Sequence, residues 1–187
     1  MTQARTTSEA AWAIVVEFTS SKQLIRHMRS VEAAMRASAK RLGEDPERWG
    51  VVGILHDFDY ESDPSRHPQR GMGILRERGV EEEIVLDIAS HAELGVPRDT
   101  PLRRTLHAVD ELCGFIIACA LVKPDRSLGA VGAATVRRKM KDRAFARGVH
   151  RSELLEGAQE LGVPFEEHVE FVRDALLPIA PELGLEP

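Results

Sequence analysis

A basic excess, cysteine pairs spread along the chain and long apolar runs are all missing from this sequence. Its 187 residues carry 25 basic against 30 acidic side chains, a formal charge of -5. Nucleic-acid binders usually show the opposite balance, so no nucleic-acid partner is expected. The only cysteines, Cys113 and Cys119, fall in one apolar stretch. A disulfide within one short helical segment is geometrically unfavourable, so both are expected as reduced core residues of a cytoplasmic protein. The best apolar run, Cys113 to Val122, has ten residues. A membrane-crossing helix needs ~20, so no membrane partner is expected and this run suits a buried helix. The N-terminal stretch is polar and lacks an apolar signal core. Aromatic residues are 5% and alternating strand patterns are absent. What remains is ordinary for a folded globule: 43% hydrophobic and 29% charged residues, too apolar for a disordered chain. The length suggests one domain over 1–187.

The hydrophobic spacing reads as nearly all helix. Residues 8–19 form a first helix behind a Ser8 cap. Over 21–42, Leu24, Met28, Val31, Met35, Ser38 and Leu42 step by four and three and draw one buried stripe, ended by Gly43. Asp45-Pro46 opens a short helix through Trp49, Val52 and Leu55. Further helices are expected at 69–78, 81–92, 101–122, 131–142, 151–161 and 165–177. The fold class is therefore all-α, a compact helical bundle.

Against this apolar background certain polar residues stand out. His27 lies on or beside the stripe of the 21–42 helix, His56-Asp57 follow the apolar run 51–55, and Asp110 sits at the head of the most apolar helix. A buried carboxylate is costly unless it is paired or holds a metal. Imidazole and carboxylate together suit Fe, Mn, Ni, Co or Zn. Each residue also has a plainer reading: a hydrogen-bonded core histidine, a chance dipeptide, or an aspartate paired with an arginine. The combination and its order carry the metal argument.

That order, with the phrases around it, resembles the HD superfamily of metal-dependent hydrolases from about residue 20 to 175. The matching phrases are Leu55-His56-Asp57-Phe58-Asp59-Tyr60-Glu61, His67-Pro68-Gln69-Arg70-Gly71, Ala89-Ser90-His91-Ala92-Glu93, Ala108-Val109-Asp110-Glu111-Leu112, Lys139-Met140-Lys141-Asp142 and Phe145-Ala146-Arg147-Gly148. The resemblance implies an HD-type helical fold in which His27, His56, Asp57 and Asp110 hold a divalent transition metal. His67 and His91 would bind a second ion, with Asp57 bridging, or face substrate phosphate. One ion is favoured, because the Asp57–His67 loop is short, and a pair is the alternative. The implied activity is hydrolysis of a small phosphorylated substrate such as a nucleotide, with Asp57, His67 and His91 as the catalytic set. A dinuclear iron oxygenase and a non-catalytic ligand sensor are the rival classes.

Around this set, residues 137–147 carry six basic side chains against Asp142 alone. This run is either a solvated face or a cationic rim for phosphate. Lys139, Lys141 and Arg147, with Arg66 and Arg70 beside His67, are the candidate substrate-binding residues. Asp59 and Glu61 are candidates to orient the histidines or touch substrate, with plain exposure as the alternative. Gly71 and Gly73, inside a helix, imply close packing or a kink. His107 shares a helix face with Asp110, and His150 and His168 read as surface residues. Oligomeric state is left open by the sequence.

Overall fold

The computed structural model describes residues 5–187. It is all-helical: among the described residues there is no β-strand, only an isolated bridge between Ser127 and Glu186. No helix among them is long and apolar enough to cross a membrane. The chain divides into two compact units, Met1–Leu106 and His107–Pro187.

The first unit contains α1 (Ser8–Phe18), α2 (Lys22–Leu42), α3 (Pro46–Leu55), a 3₁₀ turn (Pro64–Arg66), α4 (Gln69–Glu77), α5 (Glu82–Ala89) and the start of α6 (Pro101–Leu121). Thr7, not Ser8, caps α1: its hydroxyl accepts the Ala10 amide. Ser8 serves α1 differently, donating its amide to Glu47 at 2.8 Å. α2 begins at the Ser21 cap and ends at Gly43, whose φ of 73° is a left-handed conformation that glycine adopts at no steric cost. Met28, Val31 and Met35 of the expected stripe are fully buried, but Leu42 is exposed because it sits in the last turn beside Gly43. Asp45 caps α3 through the Glu47 and Arg48 amides, and Pro46 takes the first turn.

α2 and α3 pack closely because Gly53 allows it. A Cβ there would lie 2.9 Å from the backbone N and Cα of Glu32. Glu32 itself is a junction, accepting from Trp12 Nε1 at 3.1 Å, Arg29 at 3.1 Å and Arg36 at 3.0 Å. Asp87 on α5 is a second one: Arg48 of α3 reaches it at 2.7 Å and Arg103 of α6 at 2.8 Å.

α5 ends at Ala89, earlier than the periodicity suggests. The Ser90 hydroxyl takes the Asp87 carbonyl at 2.6 Å and the His91 ring takes the Ile88 carbonyl at 2.5 Å. The Ile88 oxygen is one that a continuing helix would use, so side chains stop the helix just before His91.

The second unit holds the rest of α6 with α7 (Ala133–Met140), α8 (Arg151–Glu160), α9 (Phe165–Leu176), a 3₁₀ turn (Leu177–Ile179) and α10 (Ala180–Leu183). The last two elements lie beyond the helices read from the sequence. Each starts on a proline turn, and α10 closes on Gly184 at φ 77°. Gly157 of α8 meets α6 at close range: a Cβ would fall 2.5 Å from Ala108 Cα. Cys113 and Cys119 are buried and form no disulfide.

Candidate metal centre

Five side chains of the first unit converge. His27 comes from the second turn of α2, His56 caps the C-terminal end of α3, Asp57 follows it, His67 precedes α4 and His91 follows α5. Their donor atoms form two triads that share Asp57: His27, His56 and Asp57, and Asp57, His67 and His91. Within each triad the donor atoms lie within 4.8 Å of one another. The two carboxylate oxygens of Asp57 divide between the triads. Oδ2 is 3.6 Å from the Nε2 atoms of both His27 and His56. Oδ1 is 3.1 Å from His67 Nε2 and 3.8 Å from His91 Nε2.

The orientations of the His56, His67 and His91 rings are fixed from behind. His56 is fully buried, and its Nδ1 lies 2.8 Å from the Gly53 carbonyl. A carbonyl only accepts, so in the neutral form of the ring Nδ1 carries the hydrogen and Nε2 keeps its lone pair. His91 is held the same way by the Ile88 carbonyl. Paired Nε2 atoms then face each other, His27 against His56 at 3.2 Å and His67 against His91 at 3.0 Å. Two lone pairs at that distance repel unless a proton or a cation lies between them. Imidazole nitrogens with a shared carboxylate form a donor set suited to a borderline divalent ion, so the residues present fit a metal.

Residues 24–114 match the family model of the HD domain. The chain carries an HD domain. The matched stretch contains His27, His56, Asp57, His67, His91 and Asp110. No curated protein and no solved structure matches the chain.

Other residues singled out in the sequence have different surroundings. Asp110 lies on α6 in the second unit, with Lys139 and Lys141 at the end of α7 and Arg147 in the loop after it. Lys139 stacks over Phe145, its ammonium 4.6 Å from the ring centre. Arg66 is exposed and held by Asp63 at 2.5 Å, while Arg70 donates to the Ser62 hydroxyl at 2.6 Å. Glu61 does not orient a histidine. It clamps the start of α2, accepting the Ser20 and Ser21 amides at 2.8 Å each. Gly73 has open space around it, so packing does not account for it.

The remaining histidines split. His107 is buried, its Nε2 4.0 Å from Glu160. His150 is exposed, as expected, and pairs with Glu111 at 2.8 Å. His168 is not a surface residue: it is 2% exposed, with Nε2 2.9 Å from the Ala108 carbonyl. It shares a face of α9 with Phe165, Val169 and Val172, all buried, and a hydrogen bond satisfies the ring inside.

His67 in the HD domain is a strong base before any metal arrives. Burial opposes its imidazolium, but hydrogen bonds and charge from Asp57 and Asp59 outweigh this and push it up to about 9. Its folded value lies above the ordinary 6.5, so the stabilisation is complete below pH 6.5 and is lost as pH rises through about 9. Chelator-treated protein is therefore expected to lose about 2–3 kcal/mol between those limits. Urea denaturation across that range checks it, and His67→Gln should flatten the pH dependence.

Proposed function

We propose that this chain is a metal-dependent phosphohydrolase acting on a small phosphorylated substrate, such as a nucleotide. The observation that carries the reading is Asp57, with one carboxylate oxygen toward each pair of histidines. That division supports two ions, with His27, His56 and Asp57 holding one and Asp57, His67 and His91 the other. The short Asp57–His67 loop, which favours one ion in the sequence, is drawn back by its 3₁₀ turn so that His67 reaches Asp57. Asp110 remains a proposed ligand, and Lys139, Lys141 and Arg147 proposed phosphate contacts, from the sequence motifs alone.

A bound divalent ion (Fe, Mn, Ni, Co or Zn) supplies Lewis acidity to a phosphoryl oxygen and to an attacking water. The chain's own residues do the rest. Carbonyl and carboxylate partners hold the His56, His67 and His91 rings so that Nε2 faces the centre. Asp57, only 16% exposed, offers a carboxylate with limited solvent contact. Arg66 and Arg70, on either side of His67, offer guanidinium forks for phosphate once Asp63 and Ser62 release them. Tyr60 stands edge-on to His67 at 5.3 Å and is half exposed, so it forms an apolar wall at the rim.

The test is to load the protein separately with Mn, Co, Ni or Fe and assay nucleotides and generic phosphomonoesters. Turnover with at least one metal is expected. Bound metal without turnover of any phosphoester would overturn the hydrolase. The same two-triad geometry suits a second reading, a di-iron oxygenase. Two irons per chain with substrate-dependent oxygen consumption, in place of phosphate release, would favour it.

A further inference from the structure

Asp59 lies two residues beyond the shared carboxylate, on the loop between α3 and α4, and its side chain is 1% exposed. A carboxylate so deeply buried is costly unless both oxygens are satisfied. Both are. Oδ1 faces His67 Nδ1 at 2.6 Å, and Oδ2 accepts the Gly71 amide at 2.7 Å. Gly71 is in the first turn of α4, where a Cβ would sit 2.7 Å from Asp59 Cγ and 2.9 Å from each of its oxygens. Only a residue without a side chain lets the start of α4 close over this carboxylate.

We propose that Asp59 is a positioning residue for metal at the His67–His91 pair, and that Gly71 is the glycine that gives it room. This role for Asp59 extends the two-ion reading above and rests on it. His56 and His91 are each braced by a neutral carbonyl three residues back in the chain, whereas His67 is braced by an anion. Asp59 accepts from Nδ1, so it fixes the hydrogen there, leaves Nε2 as the donor and raises its basicity toward a cation. Its second oxygen is anchored to the backbone of α4, so the ring inherits the rigidity of the helix.

Asparagine cannot copy this. Gly71 presents an N–H and His67 presents an N–H, so both partners donate. The Asp59→Asn amide has one oxygen, and its NH₂ would face a donor whichever way it is turned. A purely structural carboxylate would matter for stability alone. A positioning carboxylate must distinguish between the two triads, because only His67 touches it.

The experiment is a calorimetric titration of chelator-treated protein with Zn²⁺ alone, repeated with Co²⁺ followed by its visible absorption. Wild type is expected to take up two equivalents. His91→Ala identifies the event that belongs to the His67 side. Asp59→Asn should weaken that event by about 10- to 100-fold while leaving the His27–His56 event unchanged. Gly71→Ala attacks the same carboxylate from the opposite side and should give the same selective loss; it decides the matter if Asp59→Asn does not fold. The retained event serves as the control for folding in either variant.

Two full-strength events in both variants would overturn the role of Asp59 and leave the two-ion reading standing. Equal weakening of both events would also overturn it, reducing Asp59 to a structural group. A wild type that binds fewer than two equivalents would overturn the two-ion reading, and this inference with it.

Discussion

Asp57→Ala is expected to leave the protein unable to hold a divalent ion at either triad, and without hydrolytic turnover. The expectation follows from how the carboxylate is shared. Oδ2 serves His27 and His56, both at 3.6 Å, and Oδ1 serves His67 at 3.1 Å and His91 at 3.8 Å. Removing the side chain takes one donor from each triad and the one negative charge they share. Loss of an outer partner of a metal ligand weakens binding by about 10- to 100-fold, so loss of the shared ligand itself should exceed that at both positions. Forfeiting several kcal/mol of charge stabilisation corresponds to about 10³-fold or more in rate. Single replacements should separate the positions. His56→Ala should empty the His27 side first, and His91→Ala the His67 side. Elemental analysis after dialysis, with calorimetric titration, reads the outcome. Asp57→Ala protein with the metal content of wild type would sink the assignment. The metal-free variant gives an independent reading: His67 loses one of the two anions that favour its proton, so the fall in stability from pH 6.5 to about 9 should shrink.

Much of this centre was legible in the order of residues along the chain. His27 stood out because it interrupts an apolar stripe of period 3.6, and the HD phrases then located His56, Asp57, His67 and His91. Their convergence was beyond such reading, because it depends on what packs behind each ring. The Gly53 and Ile88 carbonyls fix two of the rings, and no sequence pattern marks a backbone oxygen as the partner of a side chain. Asp59 and Glu61 looked equivalent, two acids in one polar loop. In the fold one faces inward to His67 and the other outward to Ser20 and Ser21. Loop direction decides which, and local composition does not encode it. His168 could have been found: it falls three residues after Phe165 and four before Val172, the same spacing that exposed His27. Its charged neighbours Glu166, Glu167 and Glu170 hid a buried face. The end of α5 shows the opposite failure, since apolar periodicity continues to Ala92 while the side chains of Ser90 and His91 compete for the helical carbonyls and win.

Gly53→Ala should lower stability and weaken metal binding, although it replaces no ligand. The added methyl meets rigid atoms, Glu32 N and Cα at 2.9 Å and Val31 C at 3.1 Å, so no side chain can swing aside. Alanine gains up to ~1 kcal/mol of intrinsic helix preference over glycine, but overpacking against backbone costs about 1–3 kcal/mol or more. A net loss of about 2 kcal/mol is therefore expected in the metal-free protein. The consequence for the centre is separate and more telling. α2 carries His27 and α3 delivers His56, whose ring is braced by the carbonyl of Gly53 itself. Pushing α3 off α2 opens the 3.2 Å separation between their Nε2 atoms, so the ion on that side should bind more weakly even in molecules that stay folded. The stabilisation gained on adding metal depends on [L]/Kd, so the metal-induced rise in stability should be smaller than in wild type. Gly73→Ala is the control. Nothing lies within 4 Å of a Cβ at that position, so it should keep full metal-linked stabilisation and gain slightly in helix stability. Urea denaturation of both variants, with chelator and with saturating metal, tests the chain of cause from one missing methyl to the spacing of two histidines. If Gly53→Ala matches wild type in both conditions, the α2–α3 contact is not what sets that spacing.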